Sequence, residues 1–308
     1  MHSLSFHAHG KLLLFGEYAV LDGCRALAWP TKFGQSLQVN SEPTHVKGLY
    51  WKSFDHKGGL WFEAWFDEDL NLLHGLDDEI ARRLQRFLLQ ARALNPLFLM
   101  DGLYHEAHIS ADYPREWGLG SSSTLISLIA QWAGVDAMEL FFRSFRGSGY
   151  DIACTTARKP ILYRLEAPQK AKWEELNWGK DVLHGAIFVY LGKKQDSREG
   201  IAFYQAQGSD KQALVQSMDE LIGSLLQHPD RNSLLLAMKE SEEILSKALN
   251  LEKVKDLNFP DFPGEVKSLG AWGGDFVMAL AEEPQFETQN YFLKKGFEVV
   301  FSAEDLLI

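Results

Sequence analysis

The sequence has few cysteines and few basic residues for its length. Its 308 residues include two cysteines, Cys24 and Cys154, and 31 lysines and arginines against 42 aspartates and glutamates. Two cysteines are too few for a disulfide framework and lack metal-ligand spacing, so we expect two free thiols in a reducing cytoplasm. The net charge of −11 disfavours nucleic-acid binding, because such proteins neutralise phosphates with basic patches. It leaves room for a small anionic ligand held by a few local donors.

Long hydrophobic runs are lacking as well. Near the N-terminus, the apolar run at residues 12–15 ends at Gly16 and Glu17, which is far shorter than a signal sequence or a membrane span. We therefore expect no targeting segment and no membrane partner. No low-complexity tract argues for disorder, and 46% hydrophobic against 24% charged residues is ordinary for a globular protein with a packed core.

The chain is longer than the size at which single hydrophobic cores usually stop growing, so we expect two domains. The charged segment at residues 166–180, which contains two tryptophans, is the predicted boundary and gives domains 1–175 and 176–308. Strand-like and helix-like patterns are mixed in both parts without the regular alternation of a doubly wound sheet. This favours an α+β fold.

Hydrophobic periodicity predicts several elements. Two aromatic-rich runs in residues 49–66 indicate a β-hairpin, and residues 77–94 show helical spacing behind Asp77 and Asp78 as caps. Two more helices are predicted at 209–226 and 230–249. Strand-like runs occur at 104–110, 159–165, 184–192, 276–282 and 296–303. On the first of these strands His105 and His108 are three positions apart and point to opposite faces, so no metal site is expected there.

A stretch rich in glycine and serine opens another apolar helical run. Gly118, Leu119 and Gly120 precede three serines and a threonine at 121–124, with no positive side chain among them. A helix N-terminus carries unpaired N–H groups and a partial positive charge, so phosphate can bind there without a lysine. The stretch lacks the lysine of a Walker A loop, and Ser123 stands where a dinucleotide-binding fingerprint needs glycine. On this stretch alone, an ordinary helix cap is an equal alternative.

Together with two other stretches, this segment resembles the GHMP kinases, the superfamily of galactokinase, homoserine kinase, mevalonate kinase and phosphomevalonate kinase. Residues 10–31, GKLLLFGEYAVLDGCRALAWPT, are similar to the N-terminal substrate segment of mevalonate and phosphomevalonate kinases. Residues 114–124, PREWGLGSSST, are similar to the family's phosphate loop. Residues 267–280, KSLGAWGGDFVMAL, are similar to its C-terminal glycine motif, and GSGYDIA at 147–153 falls where the family keeps its catalytic aspartate.

The resemblance implies an N-terminal domain like ribosomal protein S5 domain 2, a ferredoxin-like C-terminal domain and an active site between them. It implies Mg²⁺-dependent transfer of the ATP γ-phosphate to mevalonate or phosphomevalonate, in the isoprenoid precursor pathway, by a cytoplasmic monomer or homodimer. It makes Asp151 the base or orienting group and Lys11 the second catalytic residue. The implied nucleotide-binding residues are Gly118, Leu119, Gly120, Ser121, Ser122, Ser123 and Thr124, with Ser122 also the magnesium ligand. The implied substrate-binding residues are Glu17, Tyr18, Gly270, Gly273 and Gly274.

The sequence departs from the family pattern at several positions. His9 replaces a proline, Tyr18 a histidine and Trp272 a glycine. Leu140 stands where mevalonate kinases carry a glutamate as a second magnesium ligand, which favours phosphomevalonate kinase over mevalonate kinase. A phosphorylated acceptor should need further cations; Lys193, Lys194 and Arg198 are candidates, with a solvated loop as the alternative.

Other interpretations stay open. Lys11 could be an exposed strand end, Asp151 a loop cap, and Glu17 the partner of a neighbouring arginine such as Arg25. The chain could phosphorylate another acceptor such as a sugar, or decarboxylate diphosphomevalonate, although the glycine-rich third motif disfavours the latter. It could also be a non-catalytic relative that binds nucleotide, against which the retention of Lys11, Ser122 and Asp151 argues.

Overall fold

The computed structural model describes residues 2–193, 197–208, 210–272 and 275–308, apart from the side chain of Ser197. Helices and strands are mixed throughout, and the chain divides into two compact units, which confirms the predicted two-part α+β fold. The first unit comprises Met1–Gly10, Phe33–Arg115 and Leu119–Thr156. The second comprises Lys11–Lys32, Glu116–Gly118 and Ala157–Ile308. The domain boundary at 175/176 lies within the second unit and stays a prediction.

The first unit is built on a sheet with the strand order β5-β4-β3-β6-β2. Its strands are β2 (Arg25–Glu42), β3 (Gly48–Phe54), β4 (Leu60–Phe66), β5 (Leu72–Gly75) and β6 (Tyr104–Ala111), and β1 (His2–Phe15) also pairs with β2. β3 and β6 are parallel, whereas β3 and β4 form the predicted antiparallel hairpin. His105 is buried and His108 is partly exposed, as expected for opposite faces of β6.

Four helices of the first unit pack together: α1 (Asp78–Leu94), α2 (Ser121–Ala133), α3 (Ala137–Ser144) and α4 (Tyr150–Cys154). The Asp77 carboxylate accepts hydrogen bonds from the N–H groups of Glu79 and Ile80, which confirms it as the cap of α1. The predicted spacing also holds, because one side of α1 is buried through Ala81, Leu84, Phe87, Leu88 and Ala91. Helix α2 contacts α1, α3 and α4, so residues 119–124 of the glycine-serine stretch belong to this unit, whereas Gly118 belongs to the second.

The second unit contains two groups of strands. β7 (Ile161–Ala167) pairs with residues 25–28 of β2 and with β8 (Lys170–Glu175). A separate antiparallel sheet has the order β10-β11-β9-β12, formed by β9 (Ile187–Tyr190), β10 (Glu265–Ser268), β11 (Phe276–Leu280) and β12 (Val300–Ser302). The polar β8 and the short β10 were not predicted from periodicity.

The helices of the second unit include the two predicted long ones, α6 (Lys211–Gln227) and α7 (Arg231–Leu249). The others are α5 (Ser197–Ala206), α8 (Val254–Asn258), α9 (Gln285–Lys294) and α10 (Ala303–Leu306). Short 3₁₀ turns cover Ala19–Asp22, Arg115–Trp117 and Lys180–Leu183. Within the described ranges, no helix combines the length and the apolar character that crossing a membrane would require.

Candidate functional site

The glycine-serine stretch forms a turn that opens α2. Gly118 and Gly120 adopt left-handed backbone conformations, with φ of 68° and 92°, which glycine reaches without steric cost. Leu119 between them is completely buried and anchors the turn. Gly120 is the N-cap residue of α2 and, having no side chain, provides no side-chain cap for the first turn. Ser121 and Ser122 therefore carry the N–H groups at the open end of the helix, where an anion binds.

The four hydroxyl groups of this stretch fall into two pairs. Ser123 Oγ donates to Asp151 Oδ2 at 2.5 Å, and Thr124 Oγ1 donates to Gln35 Oε1 at 2.6 Å; both side chains are buried. Ser122 is exposed and Ser121 is half-buried. The first pair holds the helix in place, whereas the hydroxyl of Ser122 remains accessible to a ligand.

Asp151 lies in the first turn of α4, directly after Gly149 and Tyr150. Besides the bond from Ser123 to Asp151, the hydroxyl of Thr155 donates to the hydroxyl of Ser127 at 2.8 Å. Both bonds join α2 to α4, one turn apart on each helix, so they fix the register of the two helices. The Asp151 carboxylate is thereby held at the N-terminal end of α2.

Lys11 contacts the first glycine of the same turn. Its Nζ donates to the carbonyl oxygen of Gly118 at 3.0 Å. A Cβ placed on Gly118 would overlap the carboxylate of Asp275. Gly118 therefore contacts both an ammonium group and a carboxylate, and only a residue without a side chain fits there.

Asp275 was not predicted as a site residue. It has a positive φ of 43°, its N–H donates to Lys193 O at 2.7 Å, and its carbonyl accepts from Leu191 N at 2.8 Å. The sequence signal was its position directly after the paired glycines of the third motif. Of the other residues predicted there, Gly270 has φ 70° after β10, whereas Gly273, Gly274 and the candidate cation Lys194 lie outside the described residues. Lys193 and Arg198 are exposed.

Glu17 is completely buried in an ion pair with Lys267 of β10. The arginine considered as its partner, Arg25, pairs instead with Asp219 at 3.3 Å. Burial raises the pKa of Glu17, and the charge of Lys267 opposes part of that rise. In this conformation the Glu17 carboxylate faces the protein interior, and its contact with substrate stays a prediction.

A second carboxylate lies close to this pair. Glu242 of α7 is buried, and its Oε1 accepts a hydrogen bond from Ser268 N at 3.0 Å. Burial raises the pKa of Glu242 to about 7, with Glu17 adding to the rise and Lys267 opposing it. No local pattern marks this residue in the sequence, because it lies on an amphipathic helix among other glutamates.

Tyr18 and Trp272 are also buried, at 8% and 6% exposure. Tyr18 has a positive φ of 56°, and its ring stacks on Tyr204 with centroids 5.3 Å apart. A Cβ on Gly200 would lie 2.7 Å from the Tyr18 hydroxyl, so α5 packs closely over this ring. Burial raises the pKa of Tyr18, and the backbone of Trp272 opposes that rise. The substrate contact expected of Tyr18 stays a prediction.

No protein-family model and no curated protein matches this sequence. Several solved structures match its fold over almost the whole chain. A Lin0012 protein from Listeria innocua is 16% identical with a TM-score of 0.73, covering 97% of this chain and 99% of its own. Phosphomevalonate kinase from Streptococcus pneumoniae, in complex with phosphomevalonate and AMPPNP, is 16% identical with a TM-score of 0.69. The match covers 98% of this chain and 100% of that kinase. Mevalonate kinase from Methanococcus jannaschii is 17% identical with a TM-score of 0.67 (97% of each).

Proposed function

We propose that this chain, which has the fold of the GHMP kinases, is an ATP-dependent kinase that phosphorylates mevalonate or phosphomevalonate. The observation that carries the proposal is the hydrogen bond from Ser123 to Asp151, which holds a carboxylate at a helix N-terminus whose N-cap residue is glycine. The contact of Lys11 with Gly118 adds a cation to the same turn. Similar structures include kinases for both acceptors.

The proposed chemistry needs mainly positioning and charge stabilisation. The N–H groups of Ser121 and Ser122, aided by the helix dipole, bind the phosphate oxygens of ATP. The acceptor oxygen forms a bond to the γ-phosphorus while the bond from that phosphorus to the β-phosphate oxygen breaks and releases ADP. Lys11 stabilises the negative charge of the transferring group.

The role of Asp151 depends on the acceptor. For the hydroxyl group of mevalonate, the carboxylate takes the proton that the acceptor oxygen loses. For the phosphate of phosphomevalonate no proton need be removed, and Asp151 aligns the acceptor instead. In either case the bond from Ser123 fixes the orientation of the carboxylate.

The fold family implies magnesium, and the exposed hydroxyl of Ser122 fits it as an oxygen ligand. The described residues contain no group of three or more His, Cys, Asp or Glu side chains that would hold a metal. This agrees with Mg²⁺ carried mainly by nucleotide phosphates and water, as is usual for that ion. When bound, it neutralises charge on the phosphates.

The choice between the two acceptors rests on α3 and on the loop after β9. Leu140 is completely buried and Glu139 is bonded to Arg143 at 2.8 Å, so neither supplies the second magnesium ligand of mevalonate kinases. Lys193 and Arg198 are cations suited to a phosphorylated acceptor. Both features favour phosphomevalonate over mevalonate as the acceptor.

A coupled assay of ADP release tests the proposal. The acceptors are mevalonate, phosphomevalonate, diphosphomevalonate and a panel of sugars that includes galactose, each with Mg²⁺ and ATP. We expect turnover with phosphomevalonate or mevalonate. Turnover only with a sugar would assign another acceptor, carbon dioxide release would indicate a decarboxylase, and bound nucleotide without ADP on any acceptor would indicate a non-catalytic relative.

A further inference from the structure

Three charged side chains are buried together at the start of the third glycine motif. Lys267 Nζ contacts Glu17 Oε1 and donates to Ser268 O at 3.0 Å, and Ser268 N donates to Glu242 Oε1 at 3.0 Å. Glu17 and Lys267 are completely buried, and Glu242 is 3% exposed. With both carboxylates ionised this group has one uncompensated negative charge, which is costly away from water.

This group of side chains can bind one proton. Within the described chain, the second oxygens of Glu17 and Glu242 have no hydrogen-bond partner. The indole nitrogen of Trp272 lies close enough to Glu242 to lower its pKa, yet it completes no hydrogen bond within those residues. A proton on one of the two carboxyl groups would cancel the excess charge. Glu242 is the better acceptor, because Lys267 contacts Glu17 directly.

The charged groups that face Glu242 are Lys267 from β10 and Glu17 from the segment after β1. Among the described residues, the main other elements packed on α7 are α6 and the turn at Lys180–Leu183, and their buried side chains are apolar. Burial outweighs the attraction of Lys267, so the raised pKa of Glu242, about 7, puts its titration in the neutral range.

A short series of contacts connects Glu242 with the phosphate-binding turn. Glu242 holds Ser268, and the next residue, Leu269, donates from its N–H to Phe276 O at 3.0 Å. Phe276 follows Asp275, whose carboxylate lies against Gly118. These contacts run from Glu242 to the backbone of Gly118, the first glycine of the predicted phosphate loop.

We propose that Glu242 is a positioning residue, which fixes the start of the third glycine motif through Ser268 and takes up a proton when the nucleotide phosphates bind. This inference rests on the proposed function, since it needs a polyanion at the turn. A bound polyanion disfavours an uncompensated negative charge nearby, so binding favours the protonated carboxyl group. By linkage, protonation then favours binding to the same extent.

Proton uptake is measured by calorimetric titration of the wild-type protein with Mg²⁺ and AMPPNP at about pH 7, in buffers of different ionisation enthalpy. We expect uptake in the wild type and its loss in Glu242→Gln, which keeps an acceptor for Ser268 N–H but has no charge. If binding raises the pKa of Glu242 by about half a unit, wild-type affinity falls about 2.5-fold between pH 6 and 8. The matched control is Glu240→Gln, an exposed position on the same helix that should behave as wild type.

Equal proton uptake in the wild type and Glu242→Gln would overturn the proposal, as would a failure of AMPPNP to bind. Should Glu242→Gln not fold, infrared difference spectra of the wild type decide: a protonated-carboxyl band must grow on AMPPNP binding, and its absence overturns the proposal. Failure of the kinase proposal is a separate result. It would show as no ADP formed on any acceptor, while nucleotide binding and its proton uptake persist.

Discussion

Asp151 is the side chain on which the proposed transfer step depends most. We predict that Asp151→Asn lowers kcat by about 10³-fold, because asparagine aligns the acceptor poorly and, where the acceptor is mevalonate, cannot take its proton. The affinity for AMPPNP should stay within about twofold, since Asn still accepts the Ser123 hydroxyl and the turn stays in place. Steady-state kinetics and calorimetry measure the two effects. The control is Asp78→Asn, an exposed position in the first turn of α1. Unchanged turnover in Asp151→Asn would remove this residue from the chemistry.

Ser122 is the one exposed hydroxyl of the three serines that open α2. We predict that Ser122→Ala lowers kcat about tenfold and raises the magnesium concentration needed for the half-maximal rate, because one oxygen ligand is lost. Titration of the rate with Mg²⁺ at saturating ATP measures both. Ser110→Ala, at an exposed position on β6, serves as the control. A magnesium dependence identical to that of the wild type would show that this hydroxyl does not reach the metal.

The turn before α2 depends on a close approach at one glycine. We predict that Gly118→Ala lowers kcat/KM by about 100-fold, because the added Cβ displaces the Asp275 carboxylate or the turn itself. Gly134→Ala is a matched control at the other end of α2. Its φ of 65° is close to the 68° of Gly118, but a Cβ there meets nothing within 4 Å.

Both glycine variants should therefore lose similar stability through backbone strain, about 1 kcal/mol, and only Gly118→Ala should lose catalysis. Thermal unfolding and kinetics of the two variants separate these effects. If both lose activity equally, backbone strain rather than the contact with Asp275 explains the requirement for glycine.

Elements with a strong local pattern were predictable from the sequence. The predicted helix at 77–94 was confirmed as α1, because its apolar residues recur at helical spacing and Asp77 caps it. β8 was not predicted, because its side chains are mostly exposed and five of its six residues are charged or tryptophan. β10 was not predicted, because a buried lysine, Lys267, stands at a position where the strand pattern would have an apolar residue.

At the scale of the molecule, contacts between residues far apart along the chain could not be predicted from the sequence. The motifs placed Lys11, Asp151 and the glycine-serine stretch in one hypothesis, but no periodic pattern pairs Glu17 with Lys267, which are 250 positions apart. The contact of Asp275 with Gly118 could not be predicted either, because the two residues are far apart along the chain. Buried charges also run against the expectation that charged residues are exposed.

The buried charges make a prediction about global stability. Lys267→Met leaves Glu17 and Glu242 without their shared cation, so we predict a loss of about 3–5 kcal/mol in the free energy of unfolding at pH 8. The double variant Glu17→Gln with Lys267→Met should recover part of this loss, because it removes one of the stranded charges. Urea unfolding measures each free energy. The control is Arg83→Met, which breaks the exposed pair with Glu79 and should cost less than about 0.5 kcal/mol.

The stability cost of Lys267→Met should also depend on pH. Burial raises the pKa values of Glu17 and Glu242 above their ordinary range, and Lys267 is the largest influence that opposes that rise. A carboxyl group with a raised pKa contributes stability that is complete below its unfolded pKa and is lost as the pH rises through its folded pKa. The cost of Lys267→Met should therefore be smaller at about pH 5 than at pH 8. A cost that is constant across this range, or no larger than that of Arg83→Met, would mean that water reaches these carboxylates in solution and that the three side chains do not act as a buried unit.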